Sequence, residues 1–190
     1  MKTRSEAREL LGDWVKSESL KRHCLGVAAC MEAYAKRKGL GENEVDKWYI
    51  CGLLHDFDWE RYPDLNTHPI KGCEKLKKLE YDEDIITAIL GHNVKTGVRR
   101  YSLLAKTLFA VDELSGLVVA LARVRPGNFD GMSAKSVKKA MKKKDFAAAI
   151  DRKDIQLGIE ELGINDDEGR DGHFELVIKA LSASKQELGF

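Results

Sequence analysis

The chain has 190 residues, with 32 Lys+Arg against 31 Asp+Glu and a formal net charge of +1. That length favours one domain over two, because a single core can still grow at this size. A 43% hydrophobic content with mixed-sign charges excludes a disordered chain, and the near-zero net charge removes the global electrostatic signature of a nucleic-acid binder.

Only three prolines interrupt the chain, alternating β-branched runs are few, and it reads as helix after helix. A first helix starts at Thr3, with Glu6 three residues on to close a capping box and Leu10, Leu11 and Trp14 on its apolar side. The segment MKTRSEARELLGDW is charged throughout and lacks the apolar centre of a signal peptide. A second helix, about 19–38, aligns Leu20, His23, Val27, Met31 and Tyr34 and stops at Gly39. A third, about 44–56, places Val45, Trp48, Gly52 and His55 on one side. An acidic and aromatic loop, FDWERYPDLNT, follows, and His68-Pro69 opens the next helix, where proline lacks only an N–H that would be unpaired.

Asp82 caps a helix over 83–93, and Ser102 caps the longest one, over 103–124. Lys106, Asp112 and Glu113 break the apolar run of that helix, so it does not span a membrane. After the turn Arg125-Pro126-Gly127 come a lysine-rich helix from Ser133, one over 151–162 and a last one over 167–188. The lysines of KSVKKAMKKK have no aromatic residue interleaved for base stacking, and they read as a solvated face. Cys24, Cys30, Cys51 and Cys73 form no CxxC pair and read as reduced, buried thiols of a cytoplasmic protein. The expected architecture is one all-α domain whose last helices extend or cap the first six.

Four of the five histidines fall between positions 23 and 92, each on or beside an apolar helical surface. Asp112 interrupts LLAKTLFAVDELSGLVVALA, so its carboxylate faces the core and needs a partner or a cation. A single buried Asp or His is usually an ordinary paired core group. Four histidines and two aspartates directed into one helical interior are a ligand set suited to Fe, Mn, Zn or Ni. His173 lies in a polar C-terminal segment and Glu113 points elsewhere on its helix, so both are left outside the site.

The order His23, His55-Asp56, His68-Pro69, Gly91-His92-Asn93 and Asp112 within FAVDEL resembles the HD superfamily of metal-dependent phosphohydrolases, and the chain as a whole resembles small bacterial HD-domain proteins. The resemblance implies an all-helical core over 18–125 with a C-terminal helical extension over 126–190. It implies a dinuclear site: His23, His55, Asp56 and Asp112 on one metal, with Asp56 bridging to a second held by His68 and His92. The ions would be two divalent metals, Fe or Mn first, with Mg, Ni, Co or Zn as alternatives. The implied reaction is hydrolysis of a phosphoester of a nucleotide or other small phosphorylated metabolite. Asp58 and Lys71 are further catalytic candidates, Asp58 as acid or base or as support for a histidine. Lys95, Thr96, Arg99 and Arg100 are candidates for binding the substrate phosphate. Neither nucleic acid nor membrane is expected as a partner. Two other readings use the same residues: a di-iron oxygenase and a non-catalytic nucleotide- or metal-sensing module.

Overall fold

The computed structural model describes residues 2–190, and every regular element among them is helical. In chain order these are α1 (Arg4–Trp14), α2 (Glu18–Arg37), α3 (Glu42–Leu54), α4 (Ile70–Lys78), α5 (Glu83–His92), α6 (Leu103–Arg123), α7 (Ala134–Met141), α8 (Arg152–Glu161) and α9 (Asp167–Ala183). A short 3-10 helix over Val94–Thr96 follows α5. No helix among the described residues is long and apolar enough to cross a membrane.

Local chemistry sets most helix starts. Thr3 and Glu6 complete the reciprocal capping box of α1, while the Ser17 and Ser102 hydroxyls accept from the N–H groups of Leu20 and Ala105. Asp82 occupies the N-cap of α5 but makes no capping bond with its side chain, and its carboxylate faces Lys47 instead, at 3.7 Å. The lysine-rich α7 ends at Met141, so Lys142 to Lys144 lie past its last turn. The last helix also stops earlier than its periodicity predicts, at Ala183.

The core is built around α6, which buries Leu104, Leu108, Val111, Leu114, Leu117 and Val118 against its neighbours. Burying each such side chain contributes roughly 1.5–3 kcal/mol. α2 packs along α3 and α6, α5 crosses α6, and α8 and α9 close the remaining faces of α6. The α6–α8 crossing is tight at Gly158, where a Cβ would lie 2.6 Å from the Ala110 Cα. The C-terminal helices thus share the core of the first six. Cys24, Cys30, Cys51 and Cys73 are all buried free thiols.

Candidate metal centre

Five segments deliver the chemistry. His23 projects from the second turn of α2, His55 is the C-cap of α3, and Asp56 lies in the turn beyond it. His68 precedes α4, His92 is the last residue of α5, and Asp112 sits midway along α6. Their ligand atoms form two triads, His23–His55–Asp112 and Asp56–His68–His92. In the first, the Nε2 atoms of His23 and His55 are 3.1 Å apart and lie 3.0 and 3.3 Å from Asp112 Oδ1. In the second, the Nε2 atoms of His68 and His92 are also 3.1 Å apart, 3.2 and 3.3 Å from Asp56 Oδ1. The other oxygen of Asp56, Oδ2, faces the first triad, 3.6 Å from His23 Nε2 and 3.5 Å from His55 Nε2. One carboxylate therefore addresses both clusters.

The tautomers follow from the outward hydrogen bonds. His55 Nδ1–H donates to the Gly52 carbonyl at 2.8 Å, and His92 Nδ1–H to the Ile89 carbonyl at 2.5 Å. His68 Nδ1–H donates to Asp58 Oδ1 at 2.7 Å. Each leaves an Nε2 lone pair directed inward, the arrangement of imidazoles prepared for a cation. The field in the site has the matching sign. Burial works against a charged His55, but Asp56 and Asp112 override it and hold that imidazole well above its ordinary value. His68 is raised to about 9 in the same way, against burial, by Asp56 and Asp58. Burial would raise Asp112, but His55 and His23 pull it far below the usual carboxylate range. A place that retains protons this strongly favours a cation in their stead, and the His/carboxylate donor set fits a divalent metal.

A cavity of about 510 Å³ opens over the triads. Trp59 forms one wall, its ring edge-on to His68 with centroids 4.9 Å apart, and Lys95 lies on the rim. The other sequence candidates lie elsewhere. Asp58 is fully buried and turned away from the cavity, with Oδ1 on His68 and Oδ2 accepting from the Gly72 N–H at 2.7 Å. Gly72 permits that approach, since a Cβ there would sit 2.7 Å from the Asp58 Cγ. The exposed Lys71 pairs with Glu74 at 3.0 Å and is not on the cavity wall. Thr96 donates its hydroxyl to the Leu90 and Asn93 carbonyls, which folds the 3-10 turn. Arg99 points outward beside Tyr101. Arg100 forms a bidentate pair with Glu161, donates to the Gly91 carbonyl and stacks on Phe109, so it fastens α8 to the end of α5.

Four residues, Asn93, Ile150, Asp151 and Asp154, line the cavity without having been assigned a role from the sequence, and two sequence readings, of Glu113 and His173, need correction. Asn93 donates to the carbonyls of Leu65 and His68, which ties the loop before α4 to the end of α5. Its place in Gly91-His92-Asn93 was the only signal. Glu113 corrects the expectation that it points elsewhere, because it lines the cavity and accepts from the Asp151 N–H. Burial, with Asp112 beside it, raises its carboxyl to about 7. Ile150, Asp151 and Asp154 form the wall facing the triads, and no local motif announces them. His173 is also corrected: it is buried, paired with the Tyr34 hydroxyl, and belongs to the core rather than to a polar surface.

Neither the curated proteins nor the solved structures compared with this chain match it. The family described as the HD domain does match, over residues 20–117, which is more than half the chain and contains all six ligand candidates. The His55-Asp56 pair at the junction of the two triads is thus the feature for which the family is named, and the chain belongs to the HD-domain family.

Proposed function

We propose that this HD-domain chain, a metal-dependent phosphohydrolase in general terms, cleaves a phosphoester of a nucleotide or other small phosphorylated metabolite in the cavity above the two triads. The observation that carries the reading is the Asp56 carboxylate, one oxygen on each triad. His23, His55 and Asp112 would hold one ion, His68 and His92 the other, and Asp56 both. The mixed imidazole and carboxylate donor set, without a thiolate, supports Fe or Mn. Ions so placed supply Lewis acidity toward a phosphoryl oxygen and water.

The chain's own groups do the rest. Asp58 holds the His68 ring in its tautomer and is a positioning residue. Lys95 offers the cavity a mobile ammonium for a phosphate oxygen, and Trp59 an apolar wall that excludes water from one side. Buried free thiols fit the reducing cytoplasm.

Metal analysis of protein purified without chelator or metal-affinity tag, followed by release of phosphate from a panel of phosphomonoesters, tests the reading. About two Fe or Mn per chain and metal-dependent phosphate release are expected. Asp56→Ala should lose both ions and activity together. Oxygen consumption with an organic substrate in place of phosphate release would overturn the proposal, as would full metal content and activity in Asp56→Ala.

A further inference from the structure

The metal cavity is poorly equipped for an anionic substrate beyond the phosphoryl group itself. Five carboxylates line it, those of Asp56, Asp112, Glu113, Asp151 and Asp154, against the single ammonium of Lys95. Two divalent ions would formally balance them and leave no surplus positive charge. The arginines that would ordinarily clamp phosphates from the loop after α5 are spent: Arg100 is saturated by Glu161 and the Gly91 carbonyl, and Arg99 faces outward.

A second cleft, of about 370 Å³, adjoins the first, and His23 and Gly116 line both. It runs between α2 and α6, and its polar lining is Ser19, Arg22, Ser115 and Arg123, with no acidic side chain. Among the described residues neither arginine forms an ion pair. Arg123 uses one N–H on the Leu188 carbonyl at 2.9 Å and stacks over Phe190, which orients the guanidinium while leaving most of its donors available. Ser115 donates to the Asp112 carbonyl and so ties the cleft to the α6 segment that carries the first triad. From Gly116 at the metal end to Arg123 is two turns of α6, about 10 Å.

We propose that Arg22 and Arg123 form a distal anion subsite, selecting a substrate whose second anionic group, a phosphate or carboxylate, extends past Gly116 toward Arg123. The inference rests on the phosphohydrolase reading and deepens it: the preferred substrate is a small bis-anionic metabolite rather than a simple monophosphate. The reacting end sits over the triads, the linking segment passes His23 and Gly116, and the far end meets two guanidiniums in a cleft whose lining carries no carboxylate.

Calorimetry of the metal-loaded protein with two phosphonates that it cannot hydrolyse tests this. The probes are hexane-1,6-diylbisphosphonic acid, whose phosphorus atoms span roughly the two turns of α6 from Gly116 to Arg123, and hexylphosphonic acid, which lacks the distal charge. The bisphosphonate should bind about tenfold or more tightly in the wild type. That preference should fall toward unity in Arg22→Gln and in Arg123→Gln, and to an intermediate value in Arg123→Lys, which keeps a cation. Thermal unfolding of each variant is measured alongside. Equal affinity for the two probes, or no binding of either, overturns the subsite. So does a preference that survives in the glutamine variants while their melting temperature falls, because the arginines would then only fasten the Leu188–Phe190 segment. A preference without phosphoester turnover sinks the hydrolase reading and leaves the subsite standing; turnover without the preference does the reverse.

Discussion

Asp58 is the carboxylate whose neighbours leave it no freedom. Its two oxygens accept from the His68 Nδ1–H and the Gly72 N–H, in a pocket where no water reaches it. An amide in its place presents one acceptor and one donor to two donors, so one contact turns repulsive. Asp58→Asn is therefore expected to loosen His68 and weaken the ion of the second triad by about 10- to 100-fold, with a smaller effect on the first. Metal titration of the variant measures this directly, and two ions bound at wild-type affinity would contradict it. At this scale the clustering of the six His and Asp residues was legible from the order of their motifs and the family resemblance those carry, although Asp56 and His68 lie outside the helices. The roles of the flanking residues were not. Whether Asp58 faces the cavity or His68 depends on how the turn after His55 curls, and nothing in FDWERYPDLNT dictates that. The loop arginines misled for the same reason: the partner that captures Arg100, Glu161, lies 61 residues away.

The helices themselves were readable because their signals are local. Thr3 with Glu6, Ser17 and Ser102 each satisfy an N–H within three residues, and the apolar stripes follow the helical period. What α8 does was not readable, since its docking is a long-range packing event. It brings Asp151 and Asp154 to the wall opposite the triads, and it does so from beyond the family match that ends at residue 117. The contact depends on Gly158, whose missing side chain lets the α8 backbone approach Ala110. Gly158→Ala would place a Cβ 2.6 Å from a backbone carbon that has no rotamer to yield, so α8 must lift away from α6. Such overpacking costs about 1–3 kcal/mol, more than alanine's higher helix propensity returns. Urea denaturation should show that loss, and the Michaelis constant should change more than the turnover number, because the displaced element contributes wall rather than metal ligands. Unchanged stability would mean that the α6–α8 interface is looser than this contact requires.

For the molecule as a whole, the buried histidine outside the two triads sets an acid limit on stability. DEGRDGHFELV reads as polar, yet α9 turns His173 inward beside Phe174, Val177 and Ile178, where it joins the Tyr34 hydroxyl of α2. Burial, aided by the nearby Arg37, lowers this imidazole to about 4 from an ordinary 6.5. Between those values the unfolded chain binds a proton that the folded chain refuses. Stability from this group is thus complete above about pH 6.5 and drains away as the pH falls toward 4, by roughly 3 kcal/mol in total. The metal-ligand histidines and the carboxylates titrate over the same range, so wild-type behaviour alone does not isolate the effect. His173→Gln keeps a partner for Tyr34 and removes the titration. The difference in unfolding free energy between wild type and His173→Gln should then shift by about 2–3 kcal/mol in the variant's favour between pH 7 and pH 4.5. Ligand titrations common to both proteins cancel in that difference. A difference that stays constant with pH would mean that the folded imidazole titrates at its ordinary value, as a solvated one does, and α9 would then have to be less firmly seated on α2 than its buried face indicates.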